Sequence, residues 1–273
     1  MSTFAPEWLS LREKADAEAR AVDLVDRLLK IDLNRDPLVV RDLGCGTGSL
    51  GRWLAGRLGG PQHWVLHDRD PRLLSIAAAT VSGVTIETHE GDLTGLTGAD
   101  VAGTSLVTAS ALLDLLTAEE VDALAGACVE AGCPALFTLS VAGRVEFEPA
   151  ESLDGDFEAA FNAHQRRVVD GRRLLGPDAV AVTVEAFERR GAEVTTSPSP
   201  WRLGPEQAAL AGEWLRGWVG AAVEQEPGLA ADAPDYLRRK LDHSRRVVVH
   251  HTDLLAVPRS AVVDRTDPLA VPR

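Results

Sequence analysis

Apolar residues along the first half of the chain fall alternately into short runs and into helical spacing. Runs at 38–42, 63–67, 84–88, 105–109 and 135–140 have the length and apolar content of strands. Between them, 50–58, 71–79 and 117–131 place apolar positions three or four apart, as helices do. Pro71 suits the first turn of its helix. Thr117-Ala118-Glu119-Glu120 reads as a capping box. Ahead of the first strand, Leu9, Ala15, Ala19, Val22, Val25, Leu28 and Leu29 predict one or two helices over 7–30. Strands alternating with helices predict an α/β fold, a doubly wound, mostly parallel sheet covered on both faces.

The second half departs from this alternation. A helix over 177–190 leads to strands at 192–196 and 246–251, with about 50 residues between those strands. This long connection is helical by pattern at 204–223 and 234–241, and Leu210, Trp214, Trp218 and Ala222 repeat along one helix face. The stripe suits either packing onto the core or an aromatic lid over a ligand. Tyr236, in the same connection, is a candidate gate. The expected organisation is an N-terminal helical cap (1–36), a core (37–200), a helical insertion or lid (201–244), a last core strand (245–257) and a flexible tail (258–273). The tail echoes the strand before it, since Asp267 to Arg273 repeats the wording of Asp253 to Arg259. Such an arm can lie on a second copy, which leaves a homodimer open.

The chemistry enters at the end of the first strand, where Asp42-Leu43-Gly44-Cys45-Gly46-Thr47-Gly48 sets three glycines at alternate positions. Such a turn bends sharply and lets backbone N–H groups approach a ligand closely. Gly46 to Gly51 also satisfies G-x-G-x-x-G, with Asp68 and Asp70 about 20 residues on, so spacing alone is compatible with a dinucleotide. Asp42 argues for a ligand with an amino group or a ribose hydroxyl, because a carboxylate there repels a pyrophosphate. The wording of the turn resembles motif I of the class I S-adenosylmethionine-dependent methyltransferases. That resemblance covers about residues 37–140. It implies a seven-stranded Rossmann-like sheet whose last two strands form an antiparallel pair, with S-adenosyl-L-methionine as cofactor and S-adenosyl-L-homocysteine as product.

The resemblance also assigns residues. It implies that Asp42, Gly44, Cys45, Gly46 and Gly48 form the cofactor turn and that Asp68, ending strand two, holds the ribose, beside Arg69. Gly91, Asp92 and Leu93 are expected at the adenine, and Ser110 and Ala111 near the methionine portion. For the acceptor side, the segment 144–170 and the insertion are the expected walls. His164, whose ordinary pKa is near neutrality, and Asp114 are the candidate bases. His250-His251 looks metal-like, but neighbours on a strand point to opposite faces, so no metal site is expected. The implied activity is methyl transfer to an O or N of a small molecule in bacterial, specialised metabolism. A cofactor-binding scaffold without catalysis is one alternative. An NAD(P)-dependent oxidoreductase is a more distant one, for which Tyr236 and Lys240 nominally supply Tyr-x-x-x-Lys.

Composition narrows the partners. The 273 residues carry a net charge of −13, and 1–150 hold 22 acidic against 12 basic residues. That balance disfavours nucleic acid, whose binding needs a basic face, and favours a small-molecule acceptor. The arginine pairs 166–167 and 172–173 are expected on solvated faces. No uncharged apolar stretch of 18 residues exists to cross a membrane, and charges from Glu7 to Arg20 exclude a signal-peptide core, so the expected location is cytoplasmic. Cys45, Cys128 and Cys133 lack C-x-x-C spacing and read as reduced, packed thiols.

Overall fold

Five parallel strands, in the order Thr85–Glu90, Gln62–Asp68, Leu38–Leu43, Leu106–Ser110 and Ala135–Glu148, form the body of the sheet. The computed structural model describes residues 5–261 except 32, 34, 35 and 94–96. In chain order its first half comprises α1 (Pro6–Ala19), α2 (Val22–Leu28), β1 (Leu38–Leu43), α3 (Ser49–Leu58), β2 (Gln62–Asp68), α4 (Pro71–Thr80), β3 (Thr85–Glu90), α5 (Gly98–Val101), β4 (Leu106–Ser110) and α6 (Ala118–Glu130). There follow β5 (Ala135–Glu148), α7 (Asp154–Gln165), β6 (Val168–Val169), β7 (Arg172–Arg173), α8 (Ala179–Glu188), β8 (Glu193–Pro198), β9 (Trp201–Leu203), α9 (Ala208–Gln225), α10 (Ala233–His243) and β10 (Arg246–Val257). The last strand, β10, lies antiparallel between β5 and β8 and also pairs with β9. Chain order reverses between β1 and β4, which opens a crevice beyond their carboxyl ends.

Two apolar layers sandwich the parallel strands. On one face Phe137 and Leu254 pack with Val121 and Leu124 of α6 and Phe187 of α8. On the other, Trp64 and Leu66 of β2 pack with Trp53 and Leu54 of α3 and Leu24 and Leu28 of α2. The predicted helices and strands of 38–140 stand where periodicity puts them, and Thr117 with Glu120 forms the expected capping box.

The second half corrects three expectations. β5 does not stop at 140 but continues to Glu148, pairing with β10 as far as Arg246↔Glu148. Its polar residues Arg144, Glu146 and Glu148 alternate with apolar ones, a half-buried pattern that an apolar-run criterion misses. The segment 201–244 is not purely helical, since Trp201–Leu203 adds a strand to β10. Nor is it a lid. Trp218 packs among Phe147, Phe157 and Tyr236, and Tyr236 stacks on Phe157 at 4.3 Å while its hydroxyl donates to Asp154 Oδ1 at 2.8 Å. Lys240 is buried in the same cluster, its Nζ 2.6 Å from Asp154 and 4.2 Å from the Phe147 ring. These helices cover the extension that long β5 and β10 create, which is why their apolar stripe exists. The tail expectation for 262–273 lies outside the described residues.

Candidate active site

A cavity of about 380 Å³, within the usual range for small-ligand pockets, opens at the crevice between β1 and β4. Its floor is made by strand ends. Asp42, Gly44, Cys45 and Gly46 line it after β1, Asp68 and Arg69 after β2, Gly91, Asp92 and Leu93 after β3, and Ser110 and Ala111 after β4. The structure thus gathers in one place all the expected cofactor residues except Gly48. Gly46 takes φ +55°, and a Cβ there would sit 3.3 Å from Leu9 Cδ1, so the turn is pressed closely beneath α1. Gly48 takes φ +83° and faces α4 instead. A Cβ on it would meet Val81 Cγ2 at 2.8 Å and the Ala77 Cα at 3.1 Å, so this glycine serves helix packing.

Hydrogen bonds fix the floor. Asp68 Oδ2 accepts from Gly46 N at 2.8 Å and Oδ1 from Asp70 N at 3.0 Å, tying the end of β2 to the glycine turn. Asp70 in turn caps α4 by accepting from Arg72 N at 2.9 Å, and the Arg72 guanidinium holds its carboxyl down at about 2. Asp42 is 1% exposed, and its Oδ1 accepts from Thr108 Oγ1 at 2.7 Å while Oδ2 has no partner. Burial pushes its carboxyl up to about 7, against the opposing pull of Thr108 and Arg20. Burial raises the Cys45 thiol well beyond the ordinary range, so it packs as a small neutral side chain.

The roof comes from elements far apart in the chain. Leu9, Arg12 and Asp16 present one face of α1 to the cavity, and Arg20 follows at the helix end. Arg20 is 3% exposed. Its Nη2 donates to Ser49 Oγ at 3.1 Å and Ser110 Oγ at 3.3 Å, leaving Nε and Nη1 buried without partners. Arg167, Val169, Arg172 and Leu174, on and around the β6–β7 hairpin, complete the roof. Each arginine pair expected on a solvated face is therefore split, Arg167 and Arg172 lining the cavity while Arg166 and Arg173 do not.

The candidate bases lie elsewhere. Asp114 sits in the 3₁₀ turn Leu113–Leu115, its Oδ1 buried without a partner and its pKa raised by burial, but it does not line the cavity although Leu112, Leu115 and Leu116 do. His164 on α7 also stands apart, with Nε2 3.4 Å from Glu224 Oε2 and its pKa lowered by burial and by Arg167. Tyr236 and Lys240, the oxidoreductase pair, are locked in the aromatic cluster away from the cavity. His250 pairs with Glu146 while buried His251 packs on Trp201 at 5.2 Å, as opposite strand faces require. Whereas Arg167 and Val169 belong to the end of the expected segment 144–170, Arg12, Asp16, Arg20 and Leu174 lie outside the expected walls. Their signals were the charges at 12, 16 and 20 on one helical face and the Asp-Gly turn at 170–171.

The sheet order, with its single antiparallel strand beside β5 and its cavity at the β1–β4 switch point, is that of the class I methyltransferase fold. Residues 40–131, which contain the glycine turn and the ends of β2, β3 and β4, match a family model described as a methyltransferase domain. Over residues 40–131 the chain therefore resembles a methyltransferase domain, set within a sheet of this strand order. No curated protein matches the chain by sequence. Among solved structures it is similar to the YcgJ protein from Bacillus subtilis, at 11% identity and a TM-score of 0.49 over 88% of this chain and 99% of that one. It is also similar to a SAM-dependent methyltransferase from Geobacter sulfurreducens in complex with S-adenosyl-L-homocysteine, at 14% identity and a TM-score of 0.44, covering 93% and 99% of the two chains. A SAM-dependent methyltransferase from Thiobacillus denitrificans, again in complex with S-adenosyl-L-homocysteine, shares 14% identity at a TM-score of 0.45, covering 94% and 100%.

Proposed function

We propose that the protein transfers the methyl group of S-adenosylmethionine to an oxygen or nitrogen of a small molecule. The observation that carries this reading is the pair of unsatisfied buried groups in one cavity, Asp42 Oδ2 on the floor and Arg20 Nε and Nη1 on the roof. A buried acceptor and buried donors of opposite charge, each with hydrogen-bonding capacity to spare, suit an α-ammonium and an α-carboxylate. Asp68 uses one lone pair of each oxygen on backbone N–H groups and keeps capacity for a ribose diol, beside Arg69. Gly91, Asp92 and Leu93 then face the adenine, and Ser110 and Ala111 the methionine portion.

The sulfonium supplies an already activated methyl. The chain's share is to bind, align the acceptor and keep water out, for which Leu9, Leu112 and Leu115 supply apolar wall. The reading gives Asp114 and His164 no contact with the reacting atoms and assigns them no proton transfer. Residues 37–200 with 245–257 form the cofactor-binding core, and α1 is its cap. The net charge of −13 favours a small acceptor over nucleic acid, and three buried cysteines in no disulfide suit the cytoplasm of a bacterial cell. Among the described residues no helix is long and apolar enough to cross a membrane.

Titration calorimetry with S-adenosylhomocysteine tests the reading. Binding that weakens on Arg20→Gln and on Asp42→Asn is expected. Absence of binding by both S-adenosylmethionine and S-adenosylhomocysteine would sink it.

A further inference from the structure

We propose that the methyl acceptor carries an anionic group, a carboxylate or a phosphate, on an apolar body, and that Arg12, Arg167 and Arg172 receive that group. The proposal rests on the methyl-transfer reading and names its substrate class. Its first support is the build of the β6–β7 hairpin. Asp170 and Gly171 take φ 52° and 79°, the two left-handed residues of a tight hairpin turn whose twist matches its strands. Val169 pairs with Arg172, and Leu174 N donates to Arg167 O at 3.2 Å. Side chains on such a ribbon alternate, so Arg167, Val169, Arg172 and Leu174 share the cavity face while Val168 is left 55% exposed on the other.

The second support is how the guanidinium groups are held. Arg172 donates from Nε and Nη2 to Glu120 at 2.8 and 2.6 Å, and from Nη2 to Leu115 O at 3.2 Å, which leaves Nη1 unused. Glu120 is itself fixed, because its Oε2 accepts from Thr117 N at the start of α6. Arg12 gives its Nε to both oxygens of Asp16, at 3.1 and 2.9 Å, and lies 5.0 Å from the Trp201 ring; its Nη amines make no hydrogen bond among the described residues. Asp16 is further occupied by Trp201 Nε1 at 3.0 Å. Arg167 donates from Nη1 to His164 O at 3.0 Å and has no ion pair among the described residues.

The charges on the roof then sort themselves. Beyond Arg20, which the cofactor reading uses, Asp16 balances Arg12 and Glu120 balances Arg172, while Arg167 has no ion pair among the described residues. Two anchored forks with spare N–H groups and one unpaired cation form a receptor for a planar or tetrahedral anion rather than for a neutral or cationic molecule. Leu9, Leu115, Val169 and Leu174 surround them with apolar surface, which suits a hydrocarbon or ring body. Of the floor carboxylates Asp92 also acts on Arg172, so Arg172 contributes its anchored fork and Arg167 the surplus charge.

The test uses the full chain saturated with S-adenosylhomocysteine, titrated in a calorimeter with octanoate, octyl phosphate and octanamide. The expected result is that one anion binds at least about tenfold more tightly than the amide, as charge-assisted hydrogen bonds require, and which anion wins distinguishes carboxylate from phosphate. Arg167→Gln and, separately, Arg172→Gln should each weaken that anion about tenfold with S-adenosylhomocysteine affinity held within about twofold. Equal binding of amide and anions, no binding of any of the three, or anion affinity unmoved by both variants overturns the proposal. Failure of S-adenosylhomocysteine itself to bind is a separate result, and overturns the methyl-transfer reading beneath it.

Discussion

The floor of the cavity is written in one continuous stretch, with the ends of β1, β2, β3 and β4 all falling between Asp42 and Ala111. The roof joins α1 to a hairpin more than a hundred residues away, and neither carries a recognisable motif. The difference follows from what each surface must do. The floor, proposed to receive one cofactor, is held by backbone geometry and by carboxylates after β1, β2 and β3, and these impose a fixed spelling. A roof that meets the acceptor needs only side chains of suitable charge and size, and many sequences supply them.

The largest effect is expected in the aromatic cluster of the extension. Trp218 fills the core of the extension, so Trp218→Ala should cost about 3–5 kcal/mol of stability, read by chemical denaturation, while S-adenosylhomocysteine affinity of the folded fraction stays unchanged. A loss of affinity without loss of stability would make that helix part of the site. On the floor, Asp68→Ala should weaken S-adenosylhomocysteine about a hundredfold in calorimetry, the scale of two charge-assisted hydrogen bonds. An effect below fivefold would remove Asp68 from the ribose.

The smallest effect is in pH. Burial holds the Asp42 carboxyl up at about 7 in the empty site, whereas a bound ammonium favours its ionised form. Raising the pH removes a proton that binding would otherwise displace, so affinity for S-adenosylhomocysteine should rise about tenfold from pH 6 to pH 8. Asp42→Asn should flatten the profile. The same raised value opposes stability: the unfolded carboxyl ionises near 3.8, so the contribution of Asp42 to stability falls as pH climbs from about 4 to about 7.

Legibility in the sequence follows the same division. The glycine turn, Asp68 and Asp92 could be placed because strand ends and turn glycines are local features with a fixed spacing. Gly48 belonged to the same spelling but answers to α4, a contact that spacing cannot separate from ligand approach. Arg12, Asp16 and Arg20 read as ordinary charges on a helix, since only tertiary packing buries Asp16 and Arg20 against the sheet. The pairs at 166–167 and 172–173 looked like solvated faces, and Arg167 and Arg173 are indeed exposed; only alternation along a ribbon shows that Arg167 and Arg172 border the cavity. The periodic tryptophans located α9 but not its destination, because the surface it covers exists only once β5 runs on past Ser140.

Asp42 and Arg20 are proposed to hold the amino-acid end of the cofactor. The most direct measurement compares calorimetric affinities for S-adenosylhomocysteine and for 5′-methylthioadenosine, which lacks that end, in the native chain and in Arg20→Gln. The account predicts a preference of about a hundredfold for S-adenosylhomocysteine in the native chain, reduced to about tenfold or less in the variant, with methylthioadenosine affinity unmoved. Equal affinities in the native chain, or a preference that Arg20→Gln leaves intact, would contradict it.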